Sequence, residues 1–182
     1  MSTLVLAEDE HYEPVKVIIR RAGAKRTRIR PMRGNRVEKL AGFIIAYFSR
    51  YDRFVVLKDL ESYEESNIRQ RFQEAVRRAR TRLGLVGLDV RLIIVRRAVE
   101  AWLLADPDAI EMATNCRLSE RVRRRLGQPE RIYKPKDVLV HILRRCGKGY
   151  HSRLAAKIAE HVNLDIARKK APSLDEFLKA IT

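Results

Sequence analysis

Across 182 residues the chain carries 39 Lys and Arg against 23 Asp and Glu, a formal charge of +16, with 46% hydrophobic residues. That is enough for one core with a small appendage, and the charge favours a polyanionic partner, either nucleic acid or an acidic membrane surface. No apolar run approaches the roughly 20 residues that a membrane-spanning helix needs, and the N-terminal MSTLVLAEDEHYE reaches acids too early for a secretory leader.

In chain order, TLVLA at 3–7 reads as a first strand that turns polar at Glu8, and 13–21 as a short helix with Pro14 in its first turn. Residues 22–35 hold Gly23, Pro31 and Gly34 among Arg21, Lys25, Arg26, Arg28, Arg30, Arg33 and Arg36. Like charges at this density repel unless something neutralises them, so the segment reads as a phosphate-contacting loop. A plain solvated loop is the alternative, and the alternation over 26–30 permits a strand. Helical spacing over 36–50 (Val37, Leu40, Ala41, Ile44, Ile45, Phe48) predicts a helix packed on the sheet.

The apolar run Phe54-Val55-Val56-Leu57 reads as a strand buried on both faces, as in a parallel sheet covered by helices. It ends in Asp59 and Glu61, where open α/β sheets place their ligands. Turn and capping acids occupy the same kind of position. A long helix follows over 64–83, with an arginine-rich outer face, and DVRLIIV at 89–95 is a further strand. After it, AVEAWLLADPDAI opens one helix near Glu100 and another at Asp106-Pro107, an Asp cap followed by Pro. Trp102 reads as core. From Cys116 onward the patterns are helical, over 118–126, 135–145 and 151–162. Ser173-Leu174-Asp175-Glu176 reads as a capping box opening the last helix. The expected organisation is an α/β core over 1–112 and a helical part over 113–182 that covers it. Cys116 and Cys146 match no Cys-x-x-Cys spacing and are expected to be free thiols in a cytoplasmic protein.

Three strand ends thus carry acids: Glu8, Asp59 with Glu61, and Glu100. In parallel βα units these ends lie along one edge, where gathered carboxylates repel one another unless a cation sits between them. Mg²⁺ or Mn²⁺ suits such oxygen ligands and leaves coordination positions for phosphate and water. Other chemistries lack their patterns. Gly147-Lys148-Gly149 is not a P-loop, the cysteines and histidines have no zinc spacing, and there is no Gly-x-Ser-x-Gly elbow.

The acids in this order resemble the TOPRIM superfamily of topoisomerases, bacterial primases and overcoming-lysogenization-defect nucleases, with a Glu after the first strand and an Asp-x-Asp after a later one. VLAEDEHYEP supplies Glu8, and VVLKDLES supplies Asp59 and Glu61. The chain is most similar to a family of small TOPRIM-like proteins, often encoded beside ATPase genes in prokaryotes, that carry a Glu-Ala-Trp-Leu-Leu-Ala-Asp signature. That signature stands intact here as Glu100 to Asp106. The resemblance extends to Pro135-Lys136 and Tyr150. It departs at Asp9, where the family has Gly, at Tyr12, often an acid, and at Glu61, one methylene longer than Asp.

The resemblance implies a TOPRIM-like, mostly parallel sheet flanked by helices, with a helical C-terminal extension. It implies a metal-dependent nuclease or nuclease subunit acting on DNA or RNA, with an ATPase partner in defence against foreign DNA. Glu8, Asp59 and Glu61 would be metal ligands, and Glu8 and Glu100 catalytic. Arg26, Arg28, Arg30, Arg33, Arg36, Lys136 and Tyr150 would contact nucleic acid. The alternative is a binding or assembly module that kept the fold and lost the reaction. A basic protein seated on an anionic membrane or ribosomal surface would have no acid cluster at all.

Overall fold

The computed structural model describes residues 1–7, 12–32, 39–60 and 64–182. Four strands, β1 (Thr3–Ala7), β2 (Thr27–Pro31), β3 (Arg53–Asp59) and β4 (Asp89–Val95), form one sheet in the order β2-β1-β3-β4. Every pairing is parallel, with Leu6 beside Val56 and Asp59 beside Val95. The helices between strands are α1 (Tyr12–Arg21), α2 (Leu40–Tyr47) and α3 (Glu65–Leu83).

Strand alternation divides the core into two layers. Leu4, Leu6, Phe54 and Val56 pack with Leu40 and Ile44 of α2 and Ala75, Val76 and Ala79 of α3. Val5, Ala7, Val55, Leu57, Ile93 and Val95 face the other way, onto Val15 and Ile18 of α1 and the C-terminal helices. Both faces are covered, which is why β1 and β3 read as unbroken apolar runs rather than as alternating ones. Removing Phe54, fully buried at the centre, is expected to cost about 3–5 kcal/mol.

The C-terminal helices are α4 (Glu100–Leu104), α5 (Pro107–Thr114), α6 (Glu120–Arg125), α7 (Pro135–Arg145), α8 (Ser152–His161), α9 (Leu164–Lys170) and α10 (Pro172–Ile181), with a 3₁₀ turn at Pro129–Arg131. Their apolar faces join the α1 side of the sheet in one continuous cluster. The α8 helix packs along α1 and α5, and α4 sits among α5, α7, α8, α9 and the 3₁₀ turn.

The strand that the alternation over 26–30 permits is present as the edge strand β2, where Arg28 and Arg30 alternate with Thr27 and Ile29. Other sequence expectations are corrected here. The α2 helix runs only from Leu40 to Tyr47, Phe48 is exposed rather than packed, and 36–38 lie outside the described residues. Ser173 does not cap α10: Pro172 is the first helical residue, and the preceding Ala171 offers no side-chain acceptor. Cys116 and Cys146 are not free thiols but are bonded to each other across 30 residues. Linear spacing did not reveal the pairing because it depends on how α5 and α7 end side by side. Cysteine usage therefore no longer argues for a reducing compartment. No described helix is long and apolar enough to cross a membrane.

Candidate functional site

The chain runs from β1 to β2 on one side and returns to β3 on the other, so connections part between β1 and β3. In open parallel sheets the crevice beyond the carboxyl ends of such a pair of strands is where ligands bind. Asp59, the last residue of β3, lies there and is only 3% exposed. Alternation from Val55 and Leu57 sends its side chain to the face covered by the C-terminal helices. Across the ladder it pairs with Val95, and the Leu60 amide donates to the Val95 carbonyl, which holds the β3 and β4 ends in register.

From Val95 the chain turns through Arg97, which has a φ of +77°, and enters α4. All five α4 residues are buried. A helix that is apolar around its circumference belongs inside a core, and it takes Glu100 inside with it, at 1% exposure. Glu100 Oε1 accepts from the Tyr150 hydroxyl at 2.5 Å, whereas Oε2 is buried without a partner among the described residues. Lys136 Nζ lies 5.7 Å above the Tyr150 ring, a cation–π contact from the first turn of α7. Lys136 and Tyr150, read from sequence as nucleic-acid contacts, are thus joined to the Glu100 carboxylate.

Two other residues of the EAWLLAD stretch are fasteners. Trp102 is fully buried, stacks on Phe177 at 5.3 Å and donates from Nε1 to Ser173 Oγ at 2.8 Å. Ser173 donates its hydroxyl (2.5 Å) and its amide (3.0 Å) to Glu130 Oε1 in turn. Asp106 caps α5 by accepting from the Asp108 amide at 3.2 Å through Oδ1. Its Oδ2 accepts from the Asn163 amide at 2.7 Å, binding the α8–α9 turn to α5. Both Asp106 oxygens are used; Glu100 keeps one in reserve.

Of the other expected site residues, Glu8, Glu61, Arg33 and Arg36 lie outside the described residues. Arg26, Arg28 and Arg30 are exposed at the β2 edge, the side of the sheet away from β4, and Arg30 lies 5.2 Å over the Tyr47 ring. Among the described residues no three His, Cys, Asp or Glu side chains gather as a metal-holding group. Asp59 and Glu100 nevertheless offer the hard oxygen donors that Mg²⁺ or Mn²⁺ takes, and the orphaned Glu100 Oε2 fits a cation that completes its partners. Glu130 and Tyr133 went unsingled in the sequence. Neither stands in a motif, since an isolated acid and an isolated tyrosine carry no spacing signal.

A doubly covered parallel sheet with buried acids near its carboxyl edge is the architecture of a TOPRIM-like α/β domain. The chain belongs to the family described as a domain of unknown function, DUF4276, whose model matches residues 3–182. Its fold is similar to that of the C-terminal region of the Burkholderia pseudomallei OLD protein, with a TM-score of 0.54 and 14% identity over 99% of this chain and 98% of that one. No protein of curated function matches.

Proposed function

We propose that the chain is a metal-dependent phosphoryl-transfer protein, a TOPRIM-like nuclease or nuclease subunit acting on DNA or RNA with Mg²⁺ or Mn²⁺. The observation that carries this reading is Glu100: a carboxylate at 1% exposure, steered by the Tyr150 hydroxyl, with Oε2 left without a partner. A buried polar atom without a partner costs about 1–3 kcal/mol, more if charged, so its persistence calls for a ligand. Fold likeness to the OLD protein's C-terminal region supports the same class, because the sequence resembles the overcoming-lysogenization-defect nucleases.

In this reading Asp59 and Glu61 hold the cation, Glu8 is a further ligand or the general base, and Glu100 is a second ligand or positions water. A bound divalent ion would supply charge neutralisation at the phosphate and a more acidic water. Tyr150 fixes the Glu100 rotamer, and Lys136 keeps positive charge near that carboxylate. Residues 1–112 serve as the reactive core, and 113–182 bring Lys136 and Tyr150 to it. Arg26, Arg28 and Arg30, with Arg33 and Arg36, hold backbone phosphates without reading sequence. The partner is an ATPase and the role is defence against foreign DNA, both by the family resemblance; the cytoplasmic setting expected from free cysteines loses that support with the Cys116–Cys146 bond.

The test is cleavage of labelled DNA and RNA, single-stranded and duplex, with Mg²⁺, with Mn²⁺ and with chelator. Cleavage should require the metal and vanish in Asp59→Ala, which still binds nucleic acid. Salt-sensitive binding with no turnover under any condition would replace this reading with that of an inactive binding or assembly module.

A further inference from the structure

Beyond the carboxyl end of β4 lies a cleft of about 380 Å³ whose lining includes Glu65, Glu130 and Glu176 but neither Asp59 nor Glu100. Arg96 from the β4–α4 turn, Arg131 from the 3₁₀ turn and Lys169 from α9 line it, beside Glu130. None of the three cations is engaged in an ion pair among the described residues, although the protein forms such pairs readily elsewhere. The volume suits a single nucleotide unit.

An aromatic surface adjoins it. Tyr133, two residues past Arg131, is 73% exposed. It is that open although the Arg97 guanidinium, next to Arg96, lies 5.2 Å over its ring. Arg97 holds a φ of +77°, which side-chain-bearing residues rarely adopt, and such positions concentrate at ligand sites. From Tyr133 the chain enters α7, where Lys136 covers Tyr150, whose hydroxyl holds Glu100. Along the chain, the cleft cation Arg131 is thus followed by the exposed ring of Tyr133 and then by Lys136, whose contact with Tyr150 leads to Glu100.

We propose that Tyr133, backed by Arg97, is a base-stacking platform that binds single-stranded nucleic acid, with Arg96, Arg131 and Lys169 holding its phosphates and leading it to Glu100. The inference deepens the nuclease reading and rests on it only for what happens at Glu100. An exposed aromatic ring can stack on a base only when that base is free of its own helix, as in single strands. Trp102 cannot take this part, since it is fully buried. The cation-backed ring is also the more electropositive face for an electron-rich base.

The experiment is fluorescence anisotropy with a labelled oligothymidylate and with a duplex of equal length, both in chelator so that no cleavage occurs. Tyr133→Ala should weaken single-strand binding by about 5- to 150-fold, the loss of one base–aromatic stack, and leave duplex binding as it was. Tyr133→Phe should restore single-strand binding. Arg131→Gln should reduce the slope of log K against log salt by about 0.7. Wild-type affinity in Tyr133→Ala, or equal losses on both probes, would overturn the platform while leaving metal-dependent cleavage intact. Tyr133-dependent single-strand binding in chelator, with no cleavage once Mg²⁺ or Mn²⁺ is supplied, would instead overturn the nuclease reading and keep the platform. Absence of binding to either probe overturns the platform, and absence of cleavage with metal as well overturns both.

Discussion

Replacing Glu100 by Gln separates an acid held for a ligand from one that serves the fold. The substitution keeps shape and keeps an oxygen for the Tyr150 hydroxyl at 2.5 Å. It turns a charge-assisted bond into a neutral one, a loss of about 1 kcal/mol. It also removes charge from Oε2, which is buried without a partner, and relief of that desolvation is about 1–3 kcal/mol. The balance in chelator is a change of about 0 to +2 kcal/mol in favour of the variant, or about 0 to 6 °C in melting temperature for a chain of this size. Added Mn²⁺ at about 100 times its dissociation constant should stabilise the wild type by about 2.7 kcal/mol and leave Glu100→Gln nearly unmoved. Differential scanning fluorimetry with and without metal reads both effects. A variant that melts well below the wild type in chelator would show that Glu100 is a structural acid, and one that gains as much from Mn²⁺ would exclude Glu100 as a metal ligand and leave it only the positioning of water.

Three further outcomes follow from the hydrogen bonds and ion pairs. Ser173→Ala should lose about 2–4 kcal/mol in urea unfolding, because Trp102 Nε1 loses its acceptor and Glu130 Oε1 one of two donors inside the core; a loss well under 1 kcal/mol would mean the hydroxyl bridges nothing. Asp106→Ala should cost about 1–3 kcal/mol and speed amide exchange at Asn163, whose N–H it accepts; unchanged exchange there would refute the latch. Burial alone would raise the Asp89 carboxyl, but hydrogen bonds and charge from Arg53 and Arg91 outweigh it and hold the group below its ordinary value. A lowered folded-state value means full stabilisation above the unfolded pKa of about 3.9, lost as pH falls through the folded one. The stability gap between wild type and Asp89→Asn, about 1 kcal/mol near neutrality, should therefore hold down to about pH 5 and close below about pH 4; a gap that widens on acidification would reverse the sign argued here.

The strands β1, β3 and β4 were legible because they are written locally. Phe54 to Leu57 needs no partner to show that it is buried on both faces, and Asp59 follows it directly. What escaped depends on distant residues. Thr27–Pro31, which the sequence left open between strand and loop, is a strand because β1 lies beside it in register. Leu164–Lys170 escaped for a local reason instead: it has little apolar patterning, and it is held by Asn163, whose side chain accepts from the Asp165 and Ile166 amides. Ser173 had the spacing of a cap, yet Trp102 and Glu130, 71 and 43 residues away, claim its hydroxyl. The bond between Cys116 and Cys146 is of the same kind. Motif spacing describes what a residue offers, and packing decides which neighbour takes it.

That distinction divides the EAWLLAD signature. A family pattern alone gives its three polar-capable residues equal weight, but the hydrogen bonds do not. Asp106 spends both oxygens on backbone amides, and Trp102 spends its one donor on Ser173. Each is complete without a ligand, so each explains why α4 lies where it does and nothing about chemistry. Glu100 alone in the stretch is buried with an acceptor left over, and the donor it does have comes from a side chain that fixes its direction. Glu130 meets the same criterion outside the signature, with Oε1 anchored by Ser173 and Oε2 unclaimed. It borders the cleft proposed for the nucleotide. Of the two buried acids with an unpartnered oxygen among the described residues, Glu130 thus borders the cleft, and the network through Ser173 and Trp102 ties its position to the helix that carries Glu100.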